Sequence, residues 1–251
     1  IVVGPRGSRY VDPLTGKDVS MGNSWQADVI VDRSLRENRG RTNYRDAALF
    51  FQEEDNLIGT AFMPYTASSA GLSAVNYRIE PLAWRARTYD CPEEDAFHCN
   101  GQAPDPATPV IEVFAGETVR MHVIGAHGEQ NSTFSLEGHQ WPLEPNIEGA
   151  EMLEVQQFGP TDTLEINFTA GGPRKVIGDY MWSSERMVYA ISGQWGILRV
   201  LPAQGASQRS TVKTVAEEQK KYLETAQYSE QGFNQLADQG DIAYGDRFAR
   251  R

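Results

Sequence analysis

Short apolar segments separated by turn residues run through the middle of this 251-residue chain and constrain its fold more than any other feature. The clearest is 164–168, where Leu, Ile and Phe alternate with Glu and Asn, the period of a strand with one buried face. Residues 118–124 come close to the same alternation, and 110–114 form an apolar run on the other side of a Gly-containing turn. Further short runs of this kind lie at 47–51, 179–182 and 196–201. Many short strands between Gly, Pro and Asp turns predict an all-β sandwich.

The segments on either side of this β region have a different composition. Residues 1–45 are rich in Gly, Arg, Asp and Asn and carry the turn sequence Asp-Pro-Leu-Thr-Gly, so we expect a connector there. Residues 46–202 are predicted to form the sandwich domain. Residues 203–251 are predicted to form a polar linker, an amphipathic helix over about 211–236 and an extended tail.

The charge balance excludes two classes of partner. The chain has 23 Lys and Arg against 34 Asp and Glu, a formal net charge of −11. A nucleic-acid binder or a protein of anionic membrane surfaces needs a basic face, so neither partner is expected. No run reaches the roughly 18–20 apolar residues of a membrane-spanning helix, and no signal peptide is recognisable. Because the first residue is Ile1, we expect a processed product or part of a longer protein.

Two cysteines bear on the cellular compartment. Cys91 and Cys99 flank a short polar loop, which favours a local disulfide and an oxidising environment. Free thiols and a metal site that includes His98 are the alternatives. A structural metal site needs four converging ligands, and the sequence offers no second Cys/His cluster. The disulfide is therefore the preferred interpretation.

A series of motifs follows in order between residues 76 and 200. They are Asn-Tyr-Arg-Ile-Glu-Pro-Leu at 76–82, Ala-Gly-Glu-Thr-Val-Arg at 115–120, Phe-Ser-Leu-Glu-Gly-His-Gln-Trp at 134–141, Gly-Asp-Tyr-Met-Trp at 178–182 and Gln-Trp-Gly-Ile-Leu-Arg-Val at 194–200. Each is weak alone, but their joint order resembles a cupredoxin domain of a large secreted bacterial-type multicopper oxidase. The resemblance implies a cupredoxin-like Greek-key β-sandwich. It also implies that 1–45 follow the last strand of a preceding cupredoxin domain, so another such domain or subunit is the expected partner, in an oligomer.

The copper ligands of that family are replaced in this chain. A type 1 site uses two His nitrogens, a Cys thiolate and a weak axial group, and in the family the thiolate belongs to a His-Cys-His triplet after the Gly-Asp-Tyr strand. Here that stretch reads Met-Trp-Ser-Ser-Glu at 181–185. Glu137 replaces a His, Ser132 stands near the position of an upstream His, and Gln194 takes the axial position. The resemblance therefore implies no type 1 copper in this chain and copper in the parent protein or a partner.

Two histidines are candidates for a different metal site. If their loops converge, His127 and His139 could bind Cu(II) or zinc together with Glu129 and Glu137. The alternative is that each His caps a loop or hydrogen-bonds a backbone carbonyl.

The predicted function follows from the missing ligands. We expect a copper-free cupredoxin domain or subunit of a secreted multicopper-oxidase-type protein, supporting copper centres held in other domains or chains. The alternative is a non-enzymatic structural or binding subunit of an extracellular or periplasmic assembly, and a weaker third hypothesis is metal storage or delivery through His127 and His139. No His-x-His motif exists, so no catalytic residue is predicted in this chain; any activity of the parent would be that of an oxidoreductase. The substrate stays open, because the fold serves many.

Overall fold

The computed structural model describes residues 4–19, 24–53, 73–92, 95–97, 99–101, 103–126, 131–145 and 147–203. This part of the chain is built mainly of strands. The strands are β1 (Arg9–Val11), β2 (Gln26–Ile30), β3 (Tyr44–Glu53), β4 (Ser73–Val75), β5 (Val110–Phe114), β6 (Thr118–Gly125), β7 (Ser132–Leu136), β8 (Trp141–Pro142), β9 (Met152–Leu153), β10 (Val155–Phe158), β11 (Thr163–Thr169), β12 (Gly178–Ser183) and β13 (Trp195–Leu201). The helices are α1 (Leu82–Thr88), α2 (Met187–Ser192) and short 3-10 turns at Arg36–Asn38 and Cys99–Gly101.

The strands form two larger sheets and a small hairpin. The six-stranded sheet has the order β1-β2-β3-β6-β11, and β4 pairs with β3 beside this path. The five-stranded sheet has the order β10-β7-β12-β13-β5, and β8 pairs with β9. Two pairs are parallel, β3 with β6 and β13 with β5, while the other pairs within these sheets are antiparallel. This all-β architecture confirms the predicted fold class.

A single apolar core lies between the two large sheets. The six-stranded sheet contributes alternate residues of its central strands, as the period-two pattern requires. Phe51 at the end of β3 is fully buried, and its ring meets Phe134, Phe158 and Trp182 of the other sheet edge to face, with centroids 5.4–6.1 Å apart. These contacts across the interior make the two sheets a sandwich.

The outer face of the five-stranded sheet is covered by the described residues of the segment from 80 to 108, which contains α1. Trp195 of β13 donates from Nε1 to the backbone carbonyl of Glu80 at 2.6 Å. The guanidinium of Arg85 lies 5.7 Å from the centroid of the same indole ring and pairs with the Glu80 carboxylate at 2.8 Å. A disulfide joins Cys91 to Cys99 within this cover, which confirms the predicted bond. All seven residues of β13 are buried as a result.

The structure adds elements that the strand pattern did not predict. Residues of the predicted connector supply β1 and β2, which extend the six-stranded sheet by antiparallel pairing onto β3. They pair because Val11 and Val29 are buried while the turns around them stay at the surface. The domain boundaries at 45/46 and 202/203 remain predictions. The helices α1 and α2 were not anticipated. The predicted tail helix, His98 and His127 lie outside the described residues.

The search for membrane spans covered the described residues, and none of their helices combines the length and apolar character needed to cross a bilayer.

Candidate functional site

Two serines face each other at the positions that the motif resemblance assigns to copper ligands. Ser184 follows β12 directly, at the centre of the triplet 183–185, and Ser132 begins the neighbouring strand β7. Both are essentially inaccessible to solvent, and their Oγ atoms lie 3.0 Å apart. Ser184 Oγ also accepts a hydrogen bond from the backbone N–H of Arg186 at 3.2 Å. The two hydroxyls therefore satisfy each other in a buried position.

A second pair of hydroxyls lies one residue earlier on β12. Ser183 is directly opposite Ser135 in the antiparallel ladder between β12 and β7. Ser135 Oγ is 3.5 Å from Ser183 Oγ and donates to the Ser183 carbonyl at 3.4 Å. The end of the sandwich between these two strands is thus closed by paired hydroxyl groups.

Gln194, the residue at the axial position, is fully buried beside this cluster. Its backbone carbonyl accepts from the N–H of Ser184 at 3.0 Å, so it is adjacent to the serine pair. Its side-chain Nε2 donates to the carbonyl of Gln52 at the end of β3, at 3.1 Å. The Gln194 side chain therefore links the end of β3 in the six-stranded sheet to the start of β13 in the five-stranded sheet.

These residues do not fit a type 1 copper. The site requires a Cys thiolate, because a soft sulfur ligand sets its electronic behaviour. The chain has two cysteines, and Cys91 and Cys99 are joined to each other. Ser184 offers a hard hydroxyl instead, and Ser132 offers a hydroxyl where an imidazole would be needed.

His139 occupies a closed position under the end of the sandwich. It is buried, with its ring edge-on to Tyr180 and Phe168 at centroid distances of 4.7 and 5.1 Å. Nδ1 lies 2.7 Å from the carbonyl of Glu137, and Nε2 accepts from the N–H of Gly171 at 3.0 Å. Because Gly171 donates to Nε2, Nδ1 carries the proton and the ring is neutral. Burial lowers the pKa of His139 below its usual range, and the hydrogen bond to the Glu137 carbonyl opposes part of this decrease.

The predicted metal site at His127 and His139 stays a prediction. Within the described ranges no group of three or more His, Cys, Asp and Glu side chains is placed to hold a metal ion. His127 and Glu129 lie outside those ranges, and Glu137 accepts a backbone hydrogen bond from Met181 at 3.3 Å. A metal at His139 would have to displace one of the two backbone contacts of its ring.

His122 belongs to a polar cluster on the outer face of the six-stranded sheet, which the sequence did not reveal. Its Nε2 lies 2.8 Å from Asp46 Oδ1, and Arg120 binds the other oxygen of Asp46 at 2.9 Å. Arg120 also donates to the hydroxyl of Tyr44, and burial raises the pKa of that hydroxyl to about 12. The register places Asp46 directly opposite Arg120, so strand pairing creates the cluster.

A second cluster lies on the outer face of the five-stranded sheet around Arg199. Its guanidinium binds Asp105 with two hydrogen bonds of 2.6 and 2.7 Å and Asp179 with two of 2.8 and 2.9 Å. Glu112 lies 3.5 Å from the same group. Burial raises the pKa of Glu112 to about 7, although the charge of Arg199 opposes this rise. One cation therefore faces three carboxyl groups, and Glu112 is the one whose charge is least favoured.

The two packed sheets and the degenerate ligand cluster at their end define the class of the protein, a cupredoxin-like β-sandwich. Residues 82–205 match the sequence profile of a family described as multicopper oxidase. This match and the motifs together support a cupredoxin-like segment of the multicopper oxidase type, and copper is associated with that family. A search among curated proteins finds no match.

Solved structures with similar folds include three copper proteins. A copper nitrite reductase from Nitrosomonas europaea is 16% identical, with a TM-score of 0.43, over 66% of this chain and 52% of that one. A multicopper oxidase from Campylobacter jejuni, described as a metallo-oxidase, is 14% identical, with a TM-score of 0.41, over 63% and 30%. A copper-containing nitrite reductase from Thermus scotoductus SA-01 is 18% identical, with a TM-score of 0.37, over 62% and 30%. The chain thus spans about a third to a half of these proteins.

Proposed function

We propose that this chain is a copper-free cupredoxin domain or subunit that supports copper centres held in other domains or chains of a multicopper-oxidase-type protein. The observation that carries the proposal is the buried hydroxyl pair of Ser132 and Ser184. It fills the place of two copper ligands with groups that bind each other. A domain closed in this way keeps its shape without a metal, and shape is what a scaffold contributes.

The disulfide supports the location proposed for this protein. The bond between Cys91 and Cys99 lies in the cover of the five-stranded sheet, and such bonds persist in oxidising compartments. We accordingly infer a periplasmic or extracellular location. Expression with and without an export signal tests it, since the bond should form in the exported protein and stay reduced in the cytosolic one. Equal thiol content in both preparations would contradict the inference.

Copper binding by the isolated chain tests the proposal directly. After incubation with copper and desalting, the wild type should retain no stoichiometric copper by elemental analysis and show no intense visible band of a thiolate-bound copper. The variant Ser132→His/Ser184→Cys, which restores a thiolate and an imidazole at the two positions, serves as the positive control. Ser135→His/Ser183→Cys makes the same changes in the neighbouring hydroxyl pair and is the matched control. A strong blue band from the wild type would overturn the copper-free assignment.

The supporting role is tested in the complete protein or complex. If copper is held elsewhere, Ser132→Ala/Ser184→Ala should leave the copper content and the oxidase activity of the assembly unchanged. Loss of copper in stoichiometric amounts would show that the serine pair participates in a centre. An assembly that contains no copper at all would instead favour the alternative, a non-enzymatic structural or binding subunit.

A further inference from the structure

Charge is distributed unevenly along this acidic chain. Residues 1–45 contain eight Lys and Arg against five Asp and Glu, a net charge of +3, which leaves −14 for the remainder. Residues 121–173 contain eight Asp and Glu and neither Lys nor Arg. The separation matters because each part contributes a group of exposed side chains of one charge.

The basic part includes the loop between β2 and β3. Four exposed arginines, which we call the arginine loop, are Arg33, Arg36, Arg39 and Arg41. No ion pair neutralises any of them within the described residues. Glu37, the glutamate between them, lies 3.8 Å from Arg6, a fifth exposed arginine. The loop therefore presents uncompensated guanidinium groups, which bind carboxylates in a two-pronged geometry.

The arginine loop is held in one conformation. Asn38 at its centre is buried, and its Nδ2 donates to the carbonyls of Arg6 at 2.8 Å and Asp32 at 2.9 Å. Asn43 closes the base of the loop by accepting from the N–H of Val31 at 3.0 Å. A loop fixed in advance binds without a further ordering cost, as an interface element requires.

The acidic part includes the hairpin of β8 and β9, which connects β7 to β10. Four exposed glutamates, which we call the glutamate hairpin, are Glu144, Glu148, Glu151 and Glu154. Each glutamate has a large apolar neighbour in the sequence with 41–62% of its surface exposed; these neighbours are Leu143, Ile147, Met152 and Val155. Clustered exposed apolar groups with a charged rim are typical of protein–protein contact surfaces.

The two surfaces lie on opposite sides of the six-stranded sheet. The arginine loop joins β2 to β3, near one edge, while β8 lies against β11, the strand at the other edge. With strands about 4.8 Å apart, β2 and β11 are about 14 Å from each other, and among the described residues no ion pair joins the two surfaces. Each surface is therefore free to bind a complementary surface of another molecule.

We propose that the arginine loop of one chain docks on the glutamate hairpin of a second copy of the same chain, forming a head-to-tail assembly. The partner is a second copy because each chain carries both the basic arginine loop and the acidic glutamate hairpin. The exposed apolar groups of the hairpin supply contact area, and the opposite charges supply register and dependence on salt. A contact of this kind joins two different surfaces, so it builds rings or chains of subunits instead of closed symmetric pairs.

Sedimentation velocity of the 251-residue chain at low and high ionic strength tests the assembly. We expect the wild type to associate at low salt and to dissociate as salt rises. The variants Arg36→Glu/Arg39→Glu/Arg41→Glu and Glu144→Arg/Glu148→Arg/Glu151→Arg should each associate at least about tenfold more weakly. An equimolar mixture of the two variants should recover association, because each reversed surface finds a complementary one.

A matched control separates the arginine loop from net charge. Arg87→Glu/Arg174→Glu/Lys175→Glu reverses three exposed basic residues elsewhere and should associate like the wild type. Circular dichroism verifies that every variant is folded. A wild type that is monomeric at all ionic strengths overturns the proposal. So does association that survives both triple reversals, because another surface would then be responsible, or a mixture that fails to recover it.

Discussion

The two faces of the five-stranded sheet are closed by different chemistry. The inner face meets the six-stranded sheet through apolar side chains, with Phe51 against three aromatic rings. The outer face meets the segment from 80 to 108 through the ion pair Arg199–Asp105 and through the indole of Trp195, which donates to the Glu80 carbonyl and lies beside the guanidinium of Arg85. One interface depends on packing, and the other depends on buried charge.

This difference teaches what each interface contributes to the fold. Apolar packing between strands stabilises the sandwich in proportion to buried area. Buried ion pairs contribute little net stability, because the free-energy cost of desolvating the charges nearly equals their electrostatic attraction. Removing one partner is nevertheless costly, because the other charge is left buried and unpaired. The outer interface therefore determines mainly the position of the covering segment and contributes less to the stability of the domain. Four sets of substitutions separate these roles.

The largest effect is expected at the inner interface. Phe51→Ala removes a fully buried ring and should lower the free energy of unfolding by about 3–5 kcal/mol, measured by urea denaturation. Phe50→Ala, the neighbouring residue on the exposed side of β3, is the control and should change it by less than about 1 kcal/mol. Equal losses for both would contradict the assigned core.

The next effect is expected at the buried cation of the outer interface. Arg199→Met leaves the partly buried carboxylates Asp105 and Asp179 without their partner, so we expect a loss of about 3 kcal/mol at neutral pH. The variant Arg199→Met/Asp105→Asn/Asp179→Asn removes the unpaired charges as well and should recover part of the loss. If the triple variant is less stable than the single one, the charges are not the cause.

The disulfide should have a smaller and more local effect. Cys91→Ala/Cys99→Ala opens a short loop, and chain entropy predicts a loss of about 2–3 kcal/mol. Because the bond lies in the cover, hydrogen exchange should accelerate in residues 80–108 while β6 and β11 keep their protection. Uniform acceleration through both sheets would show that the cover and the sandwich unfold together.

The smallest expected effect is an increase in the free energy of unfolding that depends on pH, whereas the three preceding changes lower it. The pKa of Glu112 is about 7 in the folded protein and near 4.5 in the unfolded chain, so this group stabilises the fold below about pH 4.5, and that stability is lost as the pH rises through 7. Glu112→Gln should therefore raise the free energy of unfolding by about 2 kcal/mol at pH 8 and change it little at pH 4. Glu165→Gln, which changes an exposed acid of β11, is the matched control. Equal gains at both pH values for Glu112→Gln would refute the assignment.

The sequence predicts the elements whose residues signal their own environment. Residues 164–168 alternate because β11 has one face in the core, and the short polar loop between Cys91 and Cys99 already indicates their bond. The serine pair could also be located, because Ser184 follows the Gly-Asp-Tyr motif where the family has its thiolate. These features are local, so neighbours along the chain reveal them.

Features that arise from distant residues could not be predicted in the same way. Strand β2 is short and comes from a turn-rich segment, and it is stabilised by pairing with β3. Arg199 looks like one polar residue in an apolar strand until Asp105 and Asp179 come together around it. The ring of His139 likewise gains its partner Gly171 from 32 residues away.

Strand β13 has a consequence for how the protein is made. It comes last among the described strands, yet it lies inside its sheet and is the strand to which β5 pairs, with Ile197 beside Val110. On a ribosome, β5 leaves the exit tunnel long before its neighbour has been translated. Until residues 195–201 have been translated, the backbone groups of β5 that pair with them have no partner. A chaperone would bind, or aggregation would begin, at this exposed strand edge. A ribosome stalled before residue 195 should hold a chain that is collapsed but still sensitive to protease.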